Sequence, residues 1–541
     1  MFDARPNSVA GFIVGCCVVF ASKGETLHNG IVLPDAWPPR DVSVATPAAA
    51  REPMPVPYLE NRPPVVPIDV GRQLFVDDFL VERTDLERVY GRPVKFAGNP
   101  VLRPESADEI NAPQNACALP KGGGLWWDAV RGVFRLWYEM GWCHAIGVAE
   151  SADGISWRRV CRAELPDGLK PDSWSVLPDP GCADQSRRWK MFLRTPGPSK
   201  PADLLASPDG IRWTKICENG ACGDRSSAFY NPFRRKWVLS LRSFWGEWGK
   251  GGFRSRHYCE ADDFFGFGIW ERKMDAPSGP CVPWAGPDRL DAEDAENKFP
   301  VQLYNLDAVA YESVMLGAFE LLLGPENGDC AKRGLPKITD VCFAYSRDGF
   351  HWSRPDRTAA IASSRWNSHR WDAGYVQPLA NLCVVKGDEL WFYYGAFAGD
   401  TTRLGAEDNG MYCNGAMGLA KMRRDGFVGL RAASRCGSLV TRPVRFSGKR
   451  LFVNVAAPKG SLSVGILDVD GRPQAEVGVV SGDSTKLAVG DVAAFSGRDV
   501  RLKFDLENGV LYSFWASDDD TGRSRGYLAG GGPGYAGLRD E

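Results

Sequence analysis

Ser151-Ala152-Asp153-Gly154-Ile155-Ser156-Trp157 is the stretch on which the fold turns. Its Asp-Gly pair lies between aromatic and β-branched runs, where Gly supplies a positive φ and Asp caps the turn, so it reads as a hairpin. The S-x-D-G-x-x-W pattern returns at residues 207–213 and 346–352. Reduced copies stand at Asp262-Asp263-Phe264 before Trp270 and at Arg424-Asp425-Gly426-Phe427. An alternating aromatic strand accompanies each copy, at residues 134–138, 189–193, 236–240, 316–322 and 388–394. Five copies spaced about 55–85 residues apart, each with about four short strands and no sustained helical period, predict an all-β chain with a five-bladed β-propeller over residues 67–432.

Outward from the repeat the texture changes on both sides. Beyond Gly429, alternating strands with tight turns at Asp470-Gly471 and Asn508-Gly509 suit a C-terminal β-sandwich over 433–541, ending in a short loose tail from Gly530. Ahead of the repeat, ten prolines between Pro34 and Pro67 read as a Pro-rich linker over 22–66. Val9 to Ala21 is an apolar run too short to span a bilayer but of the right length for a secretory signal over 1–21. A secreted or periplasmic protein is expected, and Ile13-Val14-Gly15-Cys16 also resembles a lipobox.

Composition narrows the function. Sixty-five basic residues balance 67 acidic ones, which argues against nucleic acid as a partner. Five His at no ligand spacing argue against a histidine-built metal centre, and fifteen scattered Cys form no C-x-x-C pair. No cofactor and no metal are expected. The 19 Trp invite a sugar-binding surface. Eight of them, however (137, 157, 189, 213, 237, 270, 352 and 391), recur at fixed places in the repeat and read as architecture. Trp126, Trp127, Trp371 and the Trp245–Trp248 pair are left as candidate stacking faces.

Arg72-Gln73-Leu74-Phe75-Val76-Asp77-Asp78-Phe79-Leu80, Asn99-Pro100-Val101-Leu102, Gly223-Asp224-Arg225-Ser226, Leu303-Tyr304-Asn305-Leu306-Asp307 and Arg424-Asp425-Gly426-Phe427 carry a family resemblance. On these stretches, and over about residues 68–520, the chain resembles the five-bladed glycoside hydrolase superfamily of families 32, 43 and 68, closest to bacterial secreted family-32-like proteins. The resemblance implies three carboxylates on successive inner strands, converging on the axis to cleave a glycosidic bond. Some parts of the pattern are missing. No Asp stands in Asn111-Ala112-Pro113-Gln114-Asn115-Ala116-Cys117, Pro171-Asp172-Ser173 is a reduced motif, and Asp224-Arg225 replaces the Glu-Cys acid motif.

The catalytic candidates are therefore Asp224, Glu312, Asp172 and Glu109. Asp224 adjoins a cation that would hold its pKa low. Glu312 ends an apolar small-residue strand, where burial would raise its pKa and suit a general acid. Arg225, Asp307, Trp126, Trp127, Trp371 and Asp372 are the substrate-binding candidates, with a carbohydrate as the partner. The leading reading is a secreted glycoside hydrolase-like protein acting on an oligo- or polysaccharide. The alternative is a non-catalytic carbohydrate-binding propeller that has lost the catalytic set, which the missing blade-one Asp favours. A sialidase-like enzyme is a weaker third reading, since no arginine triad with a Tyr-Glu pair is found. The enzymatic reading requires Asp224, Glu312 and a third acid to meet within about 5–10 Å in one axial funnel.

Overall fold

The computed structural model describes residues 24–541 except 111–114, 199, 248–249, 272–278, 406–408 and 433–435. The signal segment and Trp248 lie outside the described residues.

Five four-stranded sheets form the blades of a propeller. Their inner strands are Ala118–Asp128, Ser173–Pro178, Ser227–Asn231, Gln302–Glu312 and Gly374–Lys386. Each packs on the next and the fifth packs on the first, which closes the ring. The Asp-Gly turns form as their sequence requires. Asp153 Oδ1 accepts from the N–H groups of Ile155 and Ser156 at 2.8 and 2.7 Å, while Ser151 Oγ accepts from Gly154, whose φ is 79°. Asp209 and Asp348 repeat this arrangement.

The tryptophans join blades. Trp137 is fully buried and its indole N–H donates to the Gly210 carbonyl of the following blade at 2.7 Å; Trp270 donates back to Ala221 at 2.8 Å. Burying rings of this size supplies much of the apolar stabilisation between sheets, at roughly 25 cal/mol per Å².

Blades four and five are completed from the two ends of the described chain. Val94–Lys95 is the outer strand of blade five, and Tyr527–Leu528 pairs beside the inner strand of blade four, Tyr311 facing Leu528. The stretch from Gly530 is consequently not a loose tail. The Gly530 N–H donates to Cys383 at 2.9 Å, and Trp127 donates to the Gly530 carbonyl at 2.9 Å.

The remaining nine-stranded sheet draws on residues 73–90 and 428–517. Its long strand Arg450–Leu467 pairs through one half with Val510–Ser517 and through the other with Arg501–Glu507. Alternate residues of both halves (Leu451, Val453, Val455; Leu462, Val464, Ile466) enter one apolar cluster. The sheet thus doubles over on itself as a β-sandwich. The Pro-rich stretch is also packed rather than free. Leu27, Ile31, Leu33 and Tyr58 enter that same cluster, and Arg51 is buried against the carbonyls of Val44, Thr46 and Pro287. Proline makes the segment extended, and its apolar side chains then hold it against the sandwich.

Candidate active site

Two acids stand immediately ahead of neighbouring inner strands, Asp172 before Ser173–Pro178 and Asp224 shortly before Ser227–Asn231. Both remain partly open to solvent, with side chains 15% and 36% exposed. A continuous set of side chains connects them. Arg194 binds Asp172 and donates to the Cys222 carbonyl. Lys121 Nζ lies 3.9 Å from Asp172 and 3.7 Å from the centre of the Trp142 ring. Trp142 stacks on Tyr412 at 4.4 Å, and Tyr412 meets Tyr375 at 6.1 Å. The hydroxyls of Tyr375 and Tyr304 lie 2.7 Å apart, and Tyr304 donates to Asp224 Oδ2 at 2.8 Å. Arg242 pairs with Asp224 and also donates to its backbone carbonyl at 2.8 Å. Every blade contributes to this mouth.

A third carboxyl belongs to it. Glu139 ends the second strand of blade one, its side chain fully buried. Its Oε1 accepts from Lys121 at 3.2 Å and from the Cys143 N–H at 2.8 Å, whereas Oε2 is buried with no hydrogen-bond partner. Because Lys121 Nζ is 3.2 Å from Glu139 and 3.9 Å from Asp172, those two carboxyls are within about 7 Å of one another.

The electrostatics separate these acids. Burial alone would raise the pKa of Asp224, but Arg242, Arg254, Lys337 and the Tyr304 hydroxyl outweigh it and hold the group far below the usual carboxylate range. For Glu139 burial wins over Lys121 and the Cys143 amide, and the pKa is pushed up to about 7. Burial likewise lowers Lys337 to about 8, with Arg254 acting in the same direction.

Below the mouth lies a buried charged layer. Arg225 pairs with Glu320 at 2.7 Å, and Asp307 accepts from Asn305 at 2.7 Å. Burial raises Glu320 to about 7 and raises Asp307 as well, despite Arg225 in both cases. Arg225 and Asp307 are thus set in the buried interior beneath the mouth.

Other expected residues lie elsewhere. Tyr304 and Glu312 are eight residues apart on one strand, roughly 26 Å at about 3.3 Å per residue, so Glu312 occupies the opposite end of blade four. There it accepts from Arg72 N, Ser524 Oγ and Arg424 Nη2 at 3.1, 2.7 and 3.0 Å, beside the Arg72–Asp425 ion pair at 2.9 Å. The expected set of Asp224, Glu312 and a third acid therefore does not form. Glu312 instead ties the propeller to the sandwich. Burial raises its pKa, as the sequence suggested, while Arg424 and Arg72 oppose the rise.

Glu109 is a buried loop acid, bound by Tyr138 at 2.7 Å, Arg159 at 2.6 Å and the N–H groups of Glu105 and Ser106. Its full set of partners makes it a structural pin. Trp126 is buried with its indole N–H on the Val176 carbonyl, and Trp127 packs edge-on against Phe134. Both are far along the strand from the mouth, and Trp126 lines an apolar cavity of about 200 Å³ with Tyr230 and Trp237. Asp372 turns outward to Lys95 at 2.6 Å and Ser364 at 2.6 Å, and Trp371 packs on Tyr394. A wider cleft of about 740 Å³ lies on the flank of blades three and four under residues 31–58. Of its acids, Asp288 is committed to Arg354 and Arg357, Asp348 to the turn at Gly349 and Glu52 to Arg289.

The sequence reading missed Glu139, Lys121, Trp142, Arg242, Lys337, Tyr375 and Tyr412. Glu139 did leave a signal, as an acid directly after the apolar-aromatic run Leu136-Trp137-Tyr138.

No family model matches this chain. No curated protein matches it either. Solved structures do. The chain is similar to a fructofuranosidase from Schwanniomyces occidentalis complexed with fructose, at 10% identity over 76% of this chain and 99% of that one, with a TM-score of 0.35. It is also similar to an exo-beta-1,3-galactanase from Phanerochaete chrysosporium with galactose, at 9% identity over 79% and 100%, TM-score 0.35. A third is a glycoside hydrolase family 43 arabinoxylan arabinofuranohydrolase from Bacillus subtilis in complex with cellotetraose, at 11% identity over 79% and 99%, TM-score 0.34.

Proposed function

We propose that this protein is a glycosidase whose active site is the five-blade mouth around Asp172, Asp224 and Glu139. One observation carries the reading: the mouth holds two carboxyls whose surroundings push their pKa values in opposite directions. That is how a site keeps one acid protonated and another ionised at the same pH. Glu139, fully buried and bound by Lys121, would give its proton to the leaving glycosidic oxygen once Lys121 moves aside. Asp224 would attack the anomeric carbon or take the proton of the attacking water. Asp172, held by Arg194 and near Lys121, would position Lys121 against Glu139. The half-buried edges of the stacked Trp142 and Tyr412 offer apolar contact for a sugar ring.

The test is the release of reducing sugar from a panel of plant and algal oligosaccharides by the wild type, Asp224→Asn and Glu139→Gln. Cleavage by the wild type with at least a hundredfold loss in each variant is expected. Undiminished release by both variants rejects the assignment. Sugar binding without cleavage of any panel member favours the non-catalytic propeller.

A further inference from the structure

The mouth is not electrostatically symmetrical. On the blade-one and blade-two side, Lys121 and Arg194 face Glu139 and Asp172, two cations against two acids. The blade-three and blade-four side is different. Arg242 and the Tyr304 hydroxyl already engage Asp224. Lys337, only 3% exposed, sits in the same field; its backbone carbonyl accepts from the Tyr375 N–H, while its ammonium makes no hydrogen bond or ion pair among the described residues. Its ammonium lies instead 5.1 Å from the centre of the Tyr304 ring and 5.5 Å from that of Tyr375. Arg254 stands 5.3 Å from the Tyr304 ring, so two cations flank the tyrosine that binds Asp224.

A buried ammonium whose nearby acid, Asp224, is already engaged by Arg242 and Tyr304 is costly, and a second cation close by adds to the cost. Proteins tolerate such a group where something else supplies the opposite charge. Aromatic faces recover part of the lost solvation but provide no acceptor. The place is beside the carboxylate that acts on the bound sugar.

We propose that Lys337 receives an anionic substituent of that sugar, a carboxylate or a sulfate ester, and that the substrate is an acidic glycan. The proposal rests on the mouth being a sugar site. It goes further in assigning the charge of the substrate and the residue that reads it. A carboxylate would take a direct N–H···O contact from Lys337, and a sulfate ester would take the same contact through one of its terminal oxygens.

Calorimetric titration with three oligosaccharides of equal length tests this: neutral galactan, galacturonan and sulfated galactan. One acidic series should bind at least tenfold more tightly than the neutral one, and which of them does so distinguishes uronate from sulfate. Lys337→Met should bring that series down to the neutral level without lowering the melting temperature, which excludes a folding defect. Equal binding of all three, or unchanged preference in Lys337→Met, overturns the proposal. Cleavage of the neutral series alone overturns it too, while leaving the glycosidase reading intact. Lys337-dependent binding of an acidic series that is never cleaved supports the proposal and removes the glycosidase.

Discussion

Replacing Lys337 by Met should make the protein more stable, and only below about pH 10. The folded environment lowers the lysine from its ordinary 10.5 to about 8, through burial and the neighbouring Arg254, with Asp224 pulling the other way. That difference is worth about 3 kcal/mol, since each pKa step corresponds to 1.36 kcal/mol. The sign follows from proton counting. Below pH 8 the lysine is charged in both states, and the folded state bears the full cost of the buried charge. Between 8 and 10.5 the folded lysine has lost its proton while the unfolded one retains it, so wild-type stability climbs with pH. Above 10.5 the two states are equal. Methionine carries no charge and fills a similar volume, so Lys337→Met should gain about 3 kcal/mol at pH 7 and almost nothing near pH 10.5. For a chain of 541 residues that is a rise in melting temperature of roughly 3 °C. Scanning calorimetry of both proteins at pH 7 and pH 10 measures it. A variant that melts several degrees below wild type at pH 7 would refute the reasoning, because removing one partner of a true buried ion pair costs about 3–5 kcal/mol in the other direction.

Sugar release should fall as pH rises through about 7, where Glu139 gives up the proton it must donate, and the alkaline limb should vanish from the residual rate of Glu139→Gln; a limb at the same pH in that variant assigns the proton elsewhere. Glu312→Gln leaves Arg72 and Arg424 short of their counter-charge and should cost about 3–5 kcal/mol, some 3–4 °C in melting temperature, with release per folded molecule unchanged. A proportionate loss of turnover in soluble, folded Glu312→Gln would return that acid to the reaction. Deleting residues 527–541 removes the strand beside blade four and should give insoluble or protease-sensitive protein; a deletion product as resistant to trypsin as the full chain contradicts a stabilising role for that strand.

Much of the architecture was legible because its signals are local. An Asp-Gly turn needs a positive φ and a capping oxygen within four residues, so Ser151–Trp157 announces its hairpin without reference to anything distant. Asp172 is legible through the family resemblance and Asp224 through its place ahead of an aromatic strand, and both do stand just before inner strands. Glu312 shows the limit of that logic. Its small apolar neighbours correctly implied burial, but an eleven-residue strand has two buried ends and composition does not say which faces the mouth. Glu139, Lys337, Tyr375 and Tyr412 escaped because they reach the mouth from four different strands or loops, and their meeting depends on ring closure. The ten prolines of the N-terminal stretch specified extension, and extension is as compatible with lying along a surface as with spanning a gap.

The way blades four and five are completed has a consequence for manufacture. Synthesis proceeds from the N-terminus, so Val94 and Lys95 emerge more than three hundred residues before the inner partner they flank in blade five is finished. Tyr527 and Leu528 are made more than two hundred positions after the inner strand Gln302–Glu312 that they lie against. No ordered succession of finished blades can leave the ribosome as a sealed ring. The early strand must wait unpaired until Gly415–Arg423 is made, and blade four lacks its flanking strand until Tyr527 and Leu528 follow. Maturation is then a single late event, and a nascent chain is most exposed to holding or degradation in the interval before it.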